Sequence, residues 1–205
     1  MNHHNCDFSP MHQALTAGIH QVIATLQSNL EVLENNGNCL LKNFEEVRET
    51  FTQLEMTAAS FYLNCYLSPF TDKYVDLSTS VQNMSKRKHG GLIVIQREDS
   101  LDSLIQSGIP LKATLTHSLL ESIFFPGNPL HDGAVLIQEN EIVSAAHVLP
   151  LSKKLTGEKK MGTRHRAALG LSEQSDALIL VVSEETGKIT FALGGEFYPI
   201  NNGTV

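Results

Sequence analysis

At 205 residues, with 41% hydrophobic and 18% charged residues, the chain has room for one substantial domain with a smaller appendage and the composition of a soluble globular protein. Its formal charge of −7 excludes a bulk nucleic-acid binder, which would carry a basic footprint. No apolar run approaches the ~18–20 residues of a membrane span, no secretory leader opens the chain, and Cys6, Cys39 and Cys65 stand in no metal-ligand spacing, so they read as reduced thiols of a cytoplasmic protein.

The first third reads as helix throughout. Ser9-Pro10 offers an N-cap followed by proline at the first helical position. Leu15, Ile19, Val22, Ile23, Leu26, Leu30 and Leu33 then recur at helical spacing until Asn35-Asn36-Gly37 stops the run. A second helix places Phe44, Val47, Phe51, Leu54, Ala58 and Phe61 on one face, at alternating steps of three and four. Two amphipathic helices joined by a short link predict an antiparallel hairpin over residues 1–66. This hairpin is acidic, with Lys42 and Arg48 against seven carboxylates. So small a unit buries its apolar stripes only in part, and it is expected to pack on the rest of the chain or on another subunit.

Ser68-Pro69 breaks the pattern and marks the expected boundary with a second domain, residues 67–205. Tyr74, Leu77, Val81 and Met84 define one more amphipathic helix. Beyond it, apolar strands are expected at Gly91–Gln96, Gly133–Gln138, Ile142–Leu149, Ala177–Ser183 and Ile189–Leu193, with helical segments near 99–106, 116–125 and 163–173. That alternation predicts an α/β fold with a central sheet flanked by helices. The tight link Glu139-Asn140-Glu141 joins two strands directly, so the sheet is mixed, giving the fold an α+β-like character.

Two short motifs carry the chemistry. Asp132-Gly133-Ala134, inside NPLHDGAVLI, sets a carboxylate beside a glycine at a strand entrance. There the aspartate could hold a divalent cation, orient a sugar hydroxyl or take its proton, and glycine permits close approach of a ligand. Asp-Gly is also a common turn pair. His131, just before it, is a candidate metal ligand with Asp132.

Gly162-Thr163-Arg164-His165-Arg166 opens a helix with a hydroxyl residue and cations. Free backbone N–H groups there favour anions, and arginine adds bidentate phosphate contacts. Positive residues in a first turn oppose the helix dipole, a mismatch that points to function. Arg164 and Arg166 lie about 200° apart around a helix, so they serve different partners: one a triphosphate, the other a second ligand, another subunit or an internal acid. Lys153, Lys154, Lys159 and Lys160 extend this cationic stretch. Ser183-Glu184-Glu185 ends a strand, where paired acids could hold metal, pair with the arginines or sit in a solvated turn. Gly90-Gly91 lacks the lysine-plus-hydroxyl pattern of a phosphate loop. The two motifs in this order point to phosphoryl or nucleotidyl transfer.

Together with GGLIVIQRE, SGIPLKATLT, FFPGNPLHDGAVLI, LPLS, GTRHRAALGLSE and LVVSEETG, these motifs make residues 79–200 resemble the diadenylate cyclase (DAC, or DisA_N) domain, which condenses two ATP into cyclic di-AMP. The resemblance implies a catalytic role for Asp132, Gly133 and Ala134, with Asp132 and His131 at a catalytic Mn²⁺ or Mg²⁺. It implies phosphate contacts from Gly162, Thr163, Arg164, His165 and Arg166, with Ser183, Glu184 and Glu185 near the ligand and Leu130, Val148 and Leu149 around adenine. Residues 1–66 resemble the helical extension of the soluble, Bacillus-type branch, which implies a homo-oligomer built on dimers, up to a hexamer, in which the hairpin restrains activity. Neither nucleic acid nor membrane is an implied partner. Two departures stand out: Gly91, where the family often has alanine, is expected to loosen packing, and His147-Val148 replaces a cysteine followed by an aromatic residue that would stack on adenine. A non-catalytic module binding ATP or cyclic dinucleotide, and an oligomeric scaffold built on the hairpin, are the competing readings.

Overall fold

The computed structural model describes residues 9–34, 40–106, 108–153 and 161–200. The chain divides into two compact units, residues 1–65 and 66–205. In the first, α1 (Ser9–Glu34) and α2 (Leu41–Leu67) form the expected pair. Asn43 Nδ2 donates to Asn29 Oδ1 at 2.6 Å, and a Cβ added at Gly18 would meet Leu54 Cδ2, so the helices run antiparallel. The seam of α1 is formed by Leu15, Gly18, Val22, Thr25, the buried Asn29 and Val32. The rest of the apolar stripe, Ile19, Ile23, Leu26, Leu30 and Leu33, is exposed, as are Phe44 and Phe51 of α2. Asn35-Asn36-Gly37 and the side chains of Ser9 and Pro10 fall outside the described residues. Cys65 is disulfide-bonded, which corrects the expectation of reduced thiols; Cys6 and Cys39 lie outside the described residues.

The second unit is a seven-stranded mixed sheet in the order β2-β4-β3-β1-β5-β6-β7. Its strands are β1 (Gly91–Ile95), β2 (Ile109–Thr114), β3 (Ala134–Gln138), β4 (Glu141–His147), β5 (Leu178–Val182), β6 (Ile189–Leu193) and β7 (Glu196–Ile200). Only β1 and β3 pair in parallel; every other ladder is antiparallel. The central strands β1 and β5 are buried at every position, as continuous Leu/Ile/Val runs covered on both faces should be.

Side chains alternate across β1, so its two faces meet different helices. Leu92 and Val94 join Ala134, Leu136, Ile179 and Val181 in a core closed by Ala167, Ala168 and Leu171 of α5 (Thr163–Ser172). On the other face, Gly91 lies under Met84 of α3 (Tyr74–Arg87) and Phe124, which caps α4 (His117–Ile123).

β2 and β7, the two edge strands, escape the sequence pattern because each contains a proline and buries at most one side chain. The helix expected near 99–106 is instead a run of turns from Leu101 to Ile105. The entry to these turns is tied to Asp176, whose carboxylate accepts from the backbone N–H groups of Glu98 and Asp99, while Asp99 accepts from the N–H of Asp176.

Glu121 ties α4 to α3. Its Oε1 accepts from Asn83 Nδ2 at 2.8 Å and meets His117 Nδ1 at 3.3 Å, and its Oε2 accepts from Arg87 Nη1 at 2.9 Å. Burial pushes this carboxyl up, but the hydrogen bonds from Asn83 and His117 and the charges of Arg87 and His117 outweigh it and hold its pKa below the ordinary 4.5. A depressed folded-state pKa contributes stability that is present above the unfolded value and lost as pH falls through the folded one. Glu121→Gln is therefore expected to lower stability by about 1–2 kcal/mol near neutrality. Denaturant titrations between roughly pH 3 and 7 should show the variant losing less stability on acidification than the parent.

Candidate active site

The sheet brings the two motifs to one edge. Because β1 and β3 run parallel, Gly90-Gly91 and Asp132-Gly133 enter the sheet side by side, and antiparallel β5 delivers Ser183-Glu184-Glu185 to the same end. A cavity of about 850 Å³ there is lined by Asp132 and Gly133, by Gly162 through His165, by Val148 and Leu149, and by Ser183 through Glu185.

The shape of that edge is fixed by backbone fit. Between the pairs Ala134↔His147 and Leu136↔Ser144 the β3–β4 register slips, and Ala146 sits in the slip with φ +59°. Gly133 has φ +118°, and an added Cβ would lie 2.8 Å from the Ala146 carbonyl carbon and the His147 oxygen. Both its conformation and its neighbour therefore require glycine. The bulge turns His147 inward and buries it, whereas Val148 stays exposed. His147 Nδ1 donates to the Gln106 carbonyl at 3.0 Å, and its Nε2 shares a hydrogen bond with the Ser144 hydroxyl at 2.5 Å.

Opposite, α5 begins at Thr163 with Gly162 at the N-cap, one residue earlier than a threonine cap would give, and no side chain caps the first turn. Its leading N–H groups stay available to an anion. Arg164 Nη1 donates to Glu184 Oε2 at 2.7 Å. Arg166 points elsewhere, with Nη2 towards the Ser152 carbonyl at 3.4 Å, and it is not part of the cavity lining. This divergence is the one their spacing around a helix predicts, and the acid partnering Arg164 is Glu184. Ala134 is fully buried within β3; Leu130 and His131 also lie outside the lining. Lys153 is exposed, and Lys154, Lys159 and Lys160 fall outside the described residues.

Several lining residues carry no motif: Leu92, His147, Leu151, Met161, Ala167 and Val182. His147 was the legible one among them, since Ser144 and His147 interrupt an otherwise apolar strand, a sign of buried polar work. Among the described residues, no three His, Cys, Asp or Glu side chains converge as a metal site. His131 Nδ1 donates to the Asn128 carbonyl at 2.5 Å.

Residues 78–197 match the family model for the DisA bacterial checkpoint controller nucleotide-binding domain (DAC), and residues 2–70 match that for the N-terminal region of diadenylate cyclase CdaS. The chain belongs to the DAC family. It is 50% identical to a diadenylate cyclase CdaS of Bacillus thuringiensis over 185 residues, covering 88% of this chain and 92% of the relative. It is 47% identical to a cyclic di-AMP synthase CdaS of Bacillus subtilis over 182 residues, 89% of this chain and 87% of that one. Among solved structures it resembles a protein of Bacillus cereus described as a hypothetical membrane-spanning protein (TM-score 0.80, 47% identity, 94% and 95% of the two chains). It also resembles DacA of Staphylococcus aureus (TM-score 0.60, 45% identity, 62% and 86%). Among the described residues of this chain, no helix is long and apolar enough to cross a membrane.

Against the family pattern, Gly91 does not leave packing loose: Met84 Cε occupies the place where an alanine methyl would stand. His165 packs edge-to-face on Phe197, with ring centres 5.6 Å apart. Burial lowers its pKa from 6.5, and the charge of Glu185 opposes that shift without cancelling it. The ring is thus neutral at neutral pH. In an NMR titration its midpoint should fall below 6.5 and move further down in Glu185→Gln; a midpoint above 6.5 would contradict this account.

Proposed function

We propose that this chain is a diadenylate cyclase that joins two ATP into cyclic di-AMP and releases two pyrophosphates. The observation that carries the reading is a single cavity lined by both the Asp132 carboxylate and the uncapped start of α5 with Arg164. One group handles a hydroxyl proton or a cation, the other a polyphosphate, and nucleotidyl transfer needs both.

In this reading Gly162, Thr163, Arg164 and His165 hold the triphosphate, while Leu149 and Val148 flank adenine. Val148 is aliphatic, so it offers contact area without ring stacking. Asp132 orients the ribose 3′-hydroxyl and either accepts its proton or, with His131, holds a divalent cation. Mn²⁺ or Mg²⁺ there would neutralise phosphate charge and polarise the reacting oxygens. Two donors from the protein suit such ions, which commonly take their remaining ligands from phosphate and water. The 3′-oxygen of one ATP forms a bond to the α-phosphorus of the other, the bond from that phosphorus to the bridging oxygen breaks, and pyrophosphate leaves. The reciprocal attack closes the ring.

One cavity holding one ATP supplies only half of the reacting groups, so two copies face each other and proximity lowers the barrier. We infer that the chain forms a homo-oligomer built on dimers. The exposed stripe of Ile19, Ile23, Leu26, Leu30 and Leu33 on α1 supports a role for residues 1–66 in assembly, through which they restrain the number of face-to-face pairs.

Purified protein given ATP with Mn²⁺ or Mg²⁺ should yield cyclic di-AMP and pyrophosphate, detected by mass spectrometry. Asp132→Asn should reduce turnover by roughly 10²–10⁴-fold; full activity in that variant would remove Asp132 from the chemistry. Deletion of residues 1–66 should change both the oligomer mass seen by light scattering and the turnover per chain. If neither moves, the hairpin has no part in assembly or restraint.

A further inference from the structure

Gly90 lies outside both motifs and is buried between them. Its φ is not in the left-handed region, so the backbone does not call for glycine there. Space does. A Cβ added at Gly90 would stand 2.8 Å from Arg164 Nη1, 2.9 Å from Arg164 Cζ and 3.1 Å from Glu184 Cβ. The guanidinium therefore occupies the volume that any other residue at 90 would fill.

The surroundings hold Arg164 in that slot. Glu184 sits on a turn closed by the Gly187 N–H donating to the Ser183 carbonyl at 2.9 Å and by the Thr186 N–H donating to Ser183 Oγ at 3.2 Å. Ser85, near the end of α3, pins the same turn from below, its hydroxyl donating to the Gly187 carbonyl at 2.5 Å. Glu184 is 61% exposed whereas Arg164 is only 24% exposed, so the arginine is the more confined partner. The slot and the ion pair restrict a long side chain with many rotamers before a ligand arrives.

We propose that Gly90 is a positioning residue for Arg164: by carrying no side chain it admits the guanidinium against β1, where Glu184 fixes its fork at the mouth of the cavity for a triphosphate. The inference rests on the reading of Arg164 as a phosphate ligand. Adding one methyl group at residue 90 displaces the flexible end of Arg164 and leaves the fold intact, so the loss falls on nucleotide binding and not on stability.

Five full-length proteins test it: the parent, Gly90→Ala, Gly91→Ala, Arg164→Ala and the double variant Gly90→Ala/Arg164→Ala. The readouts are the dissociation constant for 3′-deoxy-ATP, which lacks the attacking hydroxyl and so reports binding in inactive variants too, KM and kcat for ATP, and the melting temperature. Gly90→Ala should weaken 3′-deoxy-ATP binding and raise KM by about tenfold, the loss of one well-aimed charged contact, with kcat within about twofold. Its melting temperature should stay within about 2 °C of the parent. Gly91→Ala meets Met84 and not Arg164, so its nucleotide binding should match the parent. In the double variant Gly90→Ala/Arg164→Ala, binding should be no weaker than in Arg164→Ala alone. Three results would overturn the proposal: unchanged binding in Gly90→Ala while Arg164→Ala binds weakly, a full further loss in the double variant, or a fall in kcat and melting temperature without a change in binding. Unchanged binding in Arg164→Ala would instead remove the phosphate reading of Arg164 itself, and Gly90 would then have nothing to position.

Discussion

Parallel pairing between β1 and β3, in a sheet otherwise antiparallel, constrains the rest of the second unit. It sets the entrances of both strands at one edge, and the antiparallel β5 then ends where they begin. Three loops that are distant in sequence thereby become neighbours: Gly90-Gly91, Asp132-Gly133 and Ser183 through Glu185. Packing of α5 against the same central strands brings its N-terminus to that edge as well. The candidate site residues gather there because the topology brings these chain segments to one edge.

Electrostatics at this edge is arranged around a deliberate deficit. An uncapped helix start and two arginines in one turn raise positive potential where a structural helix would prefer acids. Glu184 answers only Arg164, and from an exposed position where solvent weakens the pair. Such a contact aims a guanidinium without satisfying it, since an exposed carboxylate can yield to a phosphate at little cost. The neutral His165, packed against Phe197, adds shape to the pocket without adding charge.

Much of this was legible in the sequence because burial writes itself as pattern. Leu92 to Ile95 and Leu178 to Val182 are apolar without interruption, and the structure buries them on both faces. The edge strands were not legible: Pro110, Lys112 and Pro199 read as loop, and only tertiary pairing makes strands of them. The turns at 101–105 deceived for a related reason, as their apolar residues recur at helical spacing while Asp176, more than seventy positions away, holds the entry through backbone bonds. At the cavity, the spacing of Arg164 and Arg166 already told that they diverge around the helix, as they do. The motif did not tell that Ala134 follows Gly133 into the sheet and is buried. Gly90 shows the opposite blindness: a residue without a side chain announces nothing, and its meaning lies in what fills its place.

The prolines of the two edge strands have a consequence for how copies of this chain can meet. Strand addition at an open sheet edge requires a row of free donors on a regular, flat ladder. Along β2, Pro110 lacks an N–H, Lys112 has φ +50° and the register with β4 slips between Pro110 and Ala113; along β7, Pro199 removes another donor. Both ends of the sheet are therefore poor templates for continuation into a neighbouring molecule, and fibrous growth by that route is blocked at each end. Contacts between copies are left to helices and loops, whose side chains can specify a partner and release it.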